Sequence, residues 1–361
     1  MGAFPPPYGG VQVHMVELRE YLLRSGHECL GINLTRHRRP EAEGIFYPRT
    51  ALGVLWLLSF RLRYDVIHLH IGGELPLRLV ALCFACSCIP GKRVFLTFHS
   101  GGYSATEQGK ASKPASIQGF VLRRLDGLIA VNEDIASVFL RYGVSPNRVH
   151  VISPWAVPSA DASSPIPANL QQFMKSHSPL LTTVGLLEPE YDLGFQIDAF
   201  ARVLERWPQA GLLIVGSGHL EGQLRQQIQS KPYAAHVRLC GDLPRAITLQ
   251  VIQASSAFLR TTRYDGDALS VREALHLGVP TIATENGMRP HGVILIPVSN
   301  AEALLAAIDK ALSRPRASAI EDHPSDNLGM VTSLYSQQCT QETNGLNSHT
   351  CVPVTRAKLE E

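Results

Sequence analysis

The chain has 361 residues, 45% of them hydrophobic and 18% charged, with a formal net charge of +2. That length exceeds what one core usually supports, so two domains are expected, each with ample apolar content. The small net charge gives no overall basic field to drive nucleic-acid binding, and no apolar run is long enough to span a bilayer.

The first residues, Met1-Gly2-Ala3-Phe4, lack the charged start and apolar run of a signal peptide. They lead into Pro5-Pro-Pro-Tyr-Gly9-Gly10. Val11, Met15, Leu18 and Leu22 then recur at helical spacing until Gly26 supplies a stop. Short apolar runs at residues 29–34, 65–70, 93–99, 127–132 and 149–152, with helical segments between several of them, predict a parallel sheet. Residues 52–60 are followed by Arg61 and Arg63, with Arg36-His-Arg-Arg-Pro40 upstream. They fit two descriptions: an ordinary helix packed on the sheet, or a basic amphipathic face lying on a membrane surface. The seven cysteines, odd in number and mostly in apolar surroundings, read as reduced thiols of a cytoplasmic protein. Cys83-x-x-Cys86-x-Cys88 lacks the second pair a zinc site needs and falls in a buried helix end at residues 79–89.

A Pro- and Ser-rich stretch, residues 153–179, interrupts the alternation. The expected division is a first domain at 1–155, a linker at 156–178, a second domain at 179–314 and a terminal segment at 315–361. In the second domain, strands are predicted at 180–185, 211–216, 237–241, 257–259, 281–284 and 293–296. Helices are predicted at 193–206, 220–229, 245–254, 270–277 and 301–312. Later, only residues 330–335 offer a last helix crossing back to the first domain. From Ser336 the composition reads as a disordered tail.

The segment from Arg260 to Pro280 carries the chemistry. Asp265 and Glu273 flank a predicted junction between a strand and a helix, and Gly278-Val-Pro280 ends that helix. The carboxyl end of a parallel strand is where open α/β sheets bind ligands, and a helix start there favours a phosphate. Ionised carboxylates accept hydrogen bonds from sugar or ribose hydroxyls. Together these features describe a nucleotide-sugar site. The same residues also admit a structural description, in which Ser270-x-x-Glu273 is a capping box and Asp265-Gly266-Asp267 is turn chemistry.

The segment resembles the signature of the retaining glycosyltransferases of family 4: Glu, seven residues, Glu, a small-residue helix and a Gly-x-Pro turn. Asp265 stands here for the first Glu. The resemblance implies an α/β fold of the GT-B type, two Rossmann-like domains facing a central cleft. It assigns Asp265 to the donor sugar and Glu273 to the ribose, with Gly266 and Asp267 in the same loop. Gly9 and Gly10 match the loop that approaches the donor phosphates, where an absent Cβ allows close approach and unusual backbone angles. Gly216 and Gly218 match the Gly-x-Gly turn of the second domain, and Gly241-Asp242 matches a loop near the base. His99, in Leu96-Thr-Phe-His-Ser-Gly-Gly102, matches a histidine at a strand end facing the cleft, assigned with Asp265 to the transferred sugar or the acceptor. A histidine bonded to backbone is the alternative there. His14, His68 and His70 read as packed or cleft-lining, and the resemblance implies no metal and no cofactor beyond the nucleotide sugar.

Two departures from the family pattern stand out. Leu186 and Tyr191 occupy the places of an Arg and a Lys that neutralise the leaving diphosphate. Arg260, Arg263 and Arg289 are the candidate substitutes nearby. The sequence also starts just after the point where the family's first strand precedes the Pro-Pro-x-Gly-Gly loop, which implies an upstream start or a sheet with unpaired edges. The expected activity is transfer of a sugar, with retention, from a nucleoside diphosphate sugar to a hydroxyl acceptor in polysaccharide or glycolipid assembly. A lipid-linked saccharide is one acceptor class, with peripheral contact at the inner face of the membrane. Two alternatives remain: a GT-B nucleotide-sugar epimerase, and a degenerate, non-catalytic protein that binds a nucleotide sugar or serves as a partner in a complex.

Overall fold

A computed structural model describes residues 1–5, 9–35, 44–155, 164–265, 268–313 and 326–336. The first domain contains strands β1 (Gly31–Ile32), β2 (Ile45–Phe46), β3 (Val66–Ile71), β4 (Arg93–Phe98), β5 (Gly127–Ala130) and β6 (Val149–Val151), with every pairing parallel. Its helices are α1 (Gly10–Arg24), α2 (Ala51–Trp56), α3 (Leu77–Ser87), α4 (Glu107–Lys110), α5 (Ile117–Leu122) and α6 (Glu133–Arg141). A π-helical turn, Leu57–Arg61, prolongs α2. All four residues of β5 are buried, which is why the central strands read as unbroken apolar runs rather than as alternation.

The sheet gap expected between β1 and β3 is filled by the first two residues. The Met1 ammonium donates to the His68 carbonyl at 2.6 Å, and the His70 N–H donates to the Met1 carbonyl at 2.8 Å. On the other side Gly2 bridges to Asn33 in parallel. Two residues thus bond both neighbours, while β1-β2 and β3-β4-β5-β6 remain separate sheets.

The second domain begins with α7 (Ala168–Ser176), inside the stretch read as a linker. Its Leu170 and Phe173 pack against Leu180, Leu213 and Val251, so this helix belongs to the second core. Then follow β7 (Leu180–Val184), α8 (Leu193–Arg206), β8 (Gly211–Val215), α9 (Glu221–Gln229), β9 (Val237–Gly241), α10 (Arg245–Ala254) and β10 (Ala257–Arg260). The domain continues with α11 (Leu269–His276), β11 (Thr281–Thr284), β12 (Ile294–Ile296) and α12 (Ala301–Leu312). The parallel order β12-β11-β10-β7-β8-β9 is a doubly wound sheet whose direction of winding reverses between β7 and β10. That switch point opens a crevice at the carboxyl ends of the two strands.

The last described helix, α13 (Asn327–Leu334), returns to the first domain, where Leu328 and Val331 pack with Leu18, Ile129 and Ile152. It starts earlier than residue 330 because the Asp326 carboxylate accepts from the Gly329 N–H at 2.8 Å and caps it. The Asn327 amide donates to the Trp155 carbonyl at 2.7 Å, joining it to the end of the first domain. The tail from residue 337 lies outside the described residues. Leu328→Ala should cost about 2–3 kcal/mol in this small cluster, seen as a lowered melting temperature. Met330→Ala, on the exposed side of the same helix, should stay within about 0.5 kcal/mol.

Candidate active site

The carboxyl ends of both sheets face a cavity of ≈ 250 Å³ at the switch point. The first domain contributes Gly9, Gly10, Val13 and His99, and the second contributes Gly185, Tyr191, Arg245, Arg260, Asp265 and Glu273. The starts of α1 and α11 meet here: a Cβ on Gly10 would lie 3.7 Å from Leu269 Cδ1. Among the described residues neither start has a side-chain cap, and both first turns offer amide donors to a ligand. Gly9 has φ −92°, which any residue adopts, so the unusual backbone angles expected of the paired glycines are not found there. The expected capping box is also absent. Helix α11 begins at Leu269 with Ala268 as its cap, which leaves Ser270 within the first turn and Glu273 bonded elsewhere.

Asp265 holds two arginines. Its Oδ2 accepts from Arg260 Nε at 2.7 Å and from Arg289 Nη1 at 3.0 Å, and its Oδ1 accepts from Arg260 Nη2 at 3.1 Å. Thr262 Oγ1 donates to Oδ2 at 3.3 Å. Burial works to raise the Asp265 pKa, but Arg260 and then Arg289 outweigh it and hold the carboxyl below its usual range. Burial likewise opposes the charge on Arg260, and Asp265 overcomes it. Among the described residues the cluster holds two guanidinium groups and one carboxylate. Arg260 is the member that lines the cavity with Asp265, and it also donates from Nη1 to the Val184 carbonyl at 2.8 Å.

This arrangement bears on the missing cations. Leu186 and Tyr191 both line the cavity, so an apolar side chain and a phenol stand where the resemblance implies charge. The Arg260 guanidinium lies over the Tyr191 ring, 4.6 Å from its centre. A Cβ on Gly185 would meet that ring at 2.1 Å and Arg260 Nη1 at 3.0 Å. Strand β10 therefore delivers a positive charge to the loop after β7. Arg263 does not share this role: it is largely exposed, pairs with Asp192 at 3.0 Å and does not line the cavity. Arg289 is almost fully enclosed and donates also to the Thr284 carbonyl and to Thr262 Oγ1.

Glu273, also buried, accepts from Arg245 Nε at 3.1 Å and Nη2 at 3.0 Å, both on Oε1. Arg245 Nη1 pairs in turn with Glu17 of α1, so one guanidinium ties the two domains across the cavity. The sequence reading placed Arg245 only as the first residue of a helix. Nothing local marks it, because both of its partners are distant in the chain. Its position just after Pro244, following the Gly241-Asp242 loop, was the available signal.

Four histidines cluster at the carboxyl edge of the first sheet. His70 Nδ1 lies 3.1 Å from His99 Nε2, leaving His99 Nδ1 as the nitrogen for a ligand. His68 bonds to Tyr335 and Thr97, a structural role. His14 Nδ1 bonds to the Pro154 carbonyl at 3.0 Å, and its Nε2 is buried with no hydrogen-bond partner. The ring nitrogens of His14, His70 and His99 fall within 4.8 Å of one another, a spacing at which a metal ion could sit. Burial pushes the His14 pKa down to about 4 against the Pro154 bond, and it holds His70 and His99 well below their ordinary value.

Gly216 and Gly218 have a backbone reason. A Cβ on Gly216, at φ +132°, would meet the Gly185 carbonyl oxygen at 1.9 Å, and one on Gly218 would meet the Leu187 carbonyl oxygen at 2.6 Å. They let the loops after β7 and β8 pack together, and only Gly216 lines the cavity. Gly266 and Asp267 lie outside the described residues.

Comparison with known proteins decides the family. The profile for Glycosyltransferase Family 4 matches residues 8–156, and that for Glycosyl transferases group 1 matches residues 169–323. The chain belongs to glycosyltransferase family 4. A similar relative is a phosphatidylinositol N-acetylglucosaminyltransferase component of Arabidopsis thaliana, 22% identical over 86% of this chain and 72% of its own. Another is the GDP-mannose-dependent monoacylated alpha-(1-6)-phosphatidylinositol monomannoside mannosyltransferase of Corynebacterium glutamicum, 24% identical over 80% of each chain. Anabaena HepE, solved with UDP-glucose, superposes with a TM-score of 0.65 at 15% identity, covering 94% of this chain and 98% of its own. A glycosyltransferase from Rickettsia africae gives 0.64 at 16% identity, covering 94% and 97%. The glycosyltransferase thus has the expected GT-B fold.

The buried histidines set a pH dependence. A folded-state pKa below the unfolded one means that the unfolded chain binds more protons, so stability falls as pH drops below about 6.5. For His14 the loss continues to its folded value of about 4. The melting temperature should therefore fall between pH 7 and pH 5, and His14→Gln should flatten that slope.

Proposed function

We propose that this glycosyltransferase moves a sugar, with retention at the anomeric carbon, from a nucleoside diphosphate sugar to a hydroxyl of a lipid-borne acceptor. The observation that carries the reading is the convergence of Glu273, Asp265 and Arg260 on one cavity at the switch point, with Arg289 bonded to Asp265 behind it. A ribose hydroxyl pairs with the Glu273 carboxylate, whose two protein hydrogen bonds both fall on Oε1. The diphosphate lies against the starts of α1 and α11 and takes its counter-charge from Arg260, in place of the cations absent at Leu186 and Tyr191. Asp265 borders the donor sugar and fixes the Arg260 fork, which a bidentate pair does with directional precision. His99 donates or accepts through Nδ1 to the sugar or the acceptor, as a neutral imidazole.

In the transfer, the bond from the anomeric carbon to the diphosphate oxygen breaks, and the acceptor oxygen bonds to the same face of that carbon. The leaving phosphate oxygen takes the acceptor's proton, so no protein nucleophile or metal is needed. Phosphatidylinositol occurs in the names of both relatives given above, which supports a glycolipid acceptor and contact with a membrane surface.

A panel of nucleoside diphosphate sugars should give a selective rise in melting temperature, since a ligand of the folded state stabilises it by mass action. Glu273→Gln should abolish most of that shift. With the donor so identified, Arg260→Met should lower kcat by about 10²–10³-fold with a smaller change in donor KM, and Arg260→Lys should recover part of the loss. No shift from any donor in folded protein would sink the proposal, and wild-type kcat in Arg260→Met would remove Arg260 from it.

A further inference from the structure

Three histidines meet beside the cavity, and the transfer reaction accounts for only one of them. His14 lies on α1, His70 near the end of β3 and His99 just beyond β4. Their ring centres form a nearly regular triangle, with His14–His70 at 5.5 Å, His14–His99 at 5.1 Å and His70–His99 at 5.4 Å. One nitrogen from each ring falls within 4.8 Å of the other two. The sheet holds two of the residues in place: the His70 N–H donates to the Met1 carbonyl, and the His99 N–H donates to the Ile71 carbonyl at 2.7 Å.

Hydrogen bonding decides which nitrogens are free to ligate. The Pro154 carbonyl can only accept, so His14 Nδ1 carries the hydrogen and Nε2 presents a lone pair. That lone pair is buried and has no hydrogen-bond partner among the described residues, a costly state for an acceptor. A carbonyl on the far nitrogen is also the common support of a metal-bound imidazole, because it fixes the tautomer and the ring orientation. His70 Nδ1 and His99 Nε2, 3.1 Å apart, either share one hydrogen or both turn lone pairs to one ion. Zinc–nitrogen bonds of about 2.0–2.1 Å in tetrahedral geometry set two ligating nitrogens about 3.4 Å apart. The His70–His99 pair is already close to that separation. His68 stands outside the group, since Tyr335 and Thr97 engage both of its nitrogens.

The donor set selects the ion. Among the described residues no Asp or Glu belongs to it. Magnesium and calcium require oxygen ligands, whereas neutral imidazoles suit zinc and its neighbours in the first transition row. Burial keeps all three rings neutral, the form that ligates. Three protein ligands leave a fourth position, and His99 and Pro154 both line the cavity, so water or an anion there can complete the set.

We propose that His14, His70 and His99 form a binding site for a divalent transition ion of the zinc class, with its fourth position turned to the cavity. The ion draws His14 Nε2 toward the other two nitrogens and ties α1 to the ends of β3 and β4. Ligation through Nε2 leaves His99 Nδ1 for the sugar or the acceptor, so the site adds to the proposed transfer without entering its chemistry.

The test is titration of the full, chelator-stripped chain with Zn²⁺, Co²⁺ or Mg²⁺. Zn²⁺ should bind and raise the melting temperature by mass action, and Mg²⁺ alone should do neither. Co²⁺ should give the visible bands of a nitrogen-ligated tetrahedral ion without the thiolate charge-transfer band of a cysteine site. Loss of a supporting partner costs about 10–100-fold in metal affinity, so His14→Gln and His70→Gln, each lacking a ligand, should weaken Zn²⁺ binding by about 100-fold or more. His219→Gln, at an exposed histidine paired with Glu188, should bind Zn²⁺ as the wild type does. A cooperative melt without metal establishes that each variant folds, and if one fails, the other and the wild-type cobalt spectrum carry the comparison. Zn²⁺ affinity unchanged in His14→Gln and His70→Gln, a thiolate band with Co²⁺, or no Zn²⁺-dependent rise in melting temperature would each overturn the proposal.

Discussion

A guanidinium enclosed in protein keeps its charge only when carboxylate and carbonyl oxygens replace the water it lost, and Arg260 imposes that condition on the site. Its fork fixes both oxygens of Asp265, and its remaining amino group reaches the Val184 carbonyl at the end of β7. Arg289 adds a second charge on the same carboxylate and ties the segment after β11 to the loop after β10. Ends of three adjacent parallel strands are thereby locked around one carboxylate. The shape of the cavity follows from that lock, because Tyr191 packs on the guanidinium and Gly185 leaves room for both.

A second guanidinium organises the approach of the two domains. Arg245 bridges Glu17 of the first domain and Glu273 of the second, with both carboxylates largely buried. Glu17 Oε2 has no hydrogen-bond partner in this arrangement. An unsatisfied buried carboxylate oxygen is costly, which offsets part of what the bridge gains. Elsewhere along the junction the Asn132 amide donates to Met288 Sδ at 3.0 Å, and the Trp155 ring packs edgewise near His276 at 6.0 Å between centroids.

The proposed function needs a positive charge near the leaving group that Leu186 and Tyr191 do not supply. Electrostatic stabilisation of a leaving group depends on where charge lies, not on which strand supplies it. Leu186 and Tyr191 are not cations, and Arg260 reaches the loop after β7 from β10 across the switch point. The same doubly wound construction also shapes the outer surface of the first domain. Right-handed crossovers place α2, α3 and α5 together on one side of its sheet, while α1 packs with α13 on the other. Residues far apart in sequence, Phe84 and Phe120 among them, thus come to share one surface.

Much of this fold was legible in the chain. Helices α8, α10 and α12 begin and end where periodicity placed them, because their apolar stripes and stops are local properties. The alternation of strand and helix specified parallel sheets, and the segment after β10 held Asp265 and Glu273, which line one cavity. The two-residue strand β2 and the helix α7 were missed, the first for want of length and the second because Pro and Ser around it resemble a linker. Arg260 was one of three arginines that sequence could not rank. Only the fold separated them, by enclosing Arg260 on the cavity, enclosing Arg289 behind it and leaving Arg263 at the surface with Asp192. The part played by Arg245 was equally unreadable, since Glu17 and Glu273 meet it from distant positions in the chain. Periodicity and turn chemistry are set by near neighbours, so the sequence determined elements, sheet type and family. Burial and charge pairing are set by residues brought together from afar, and those the tertiary structure decided.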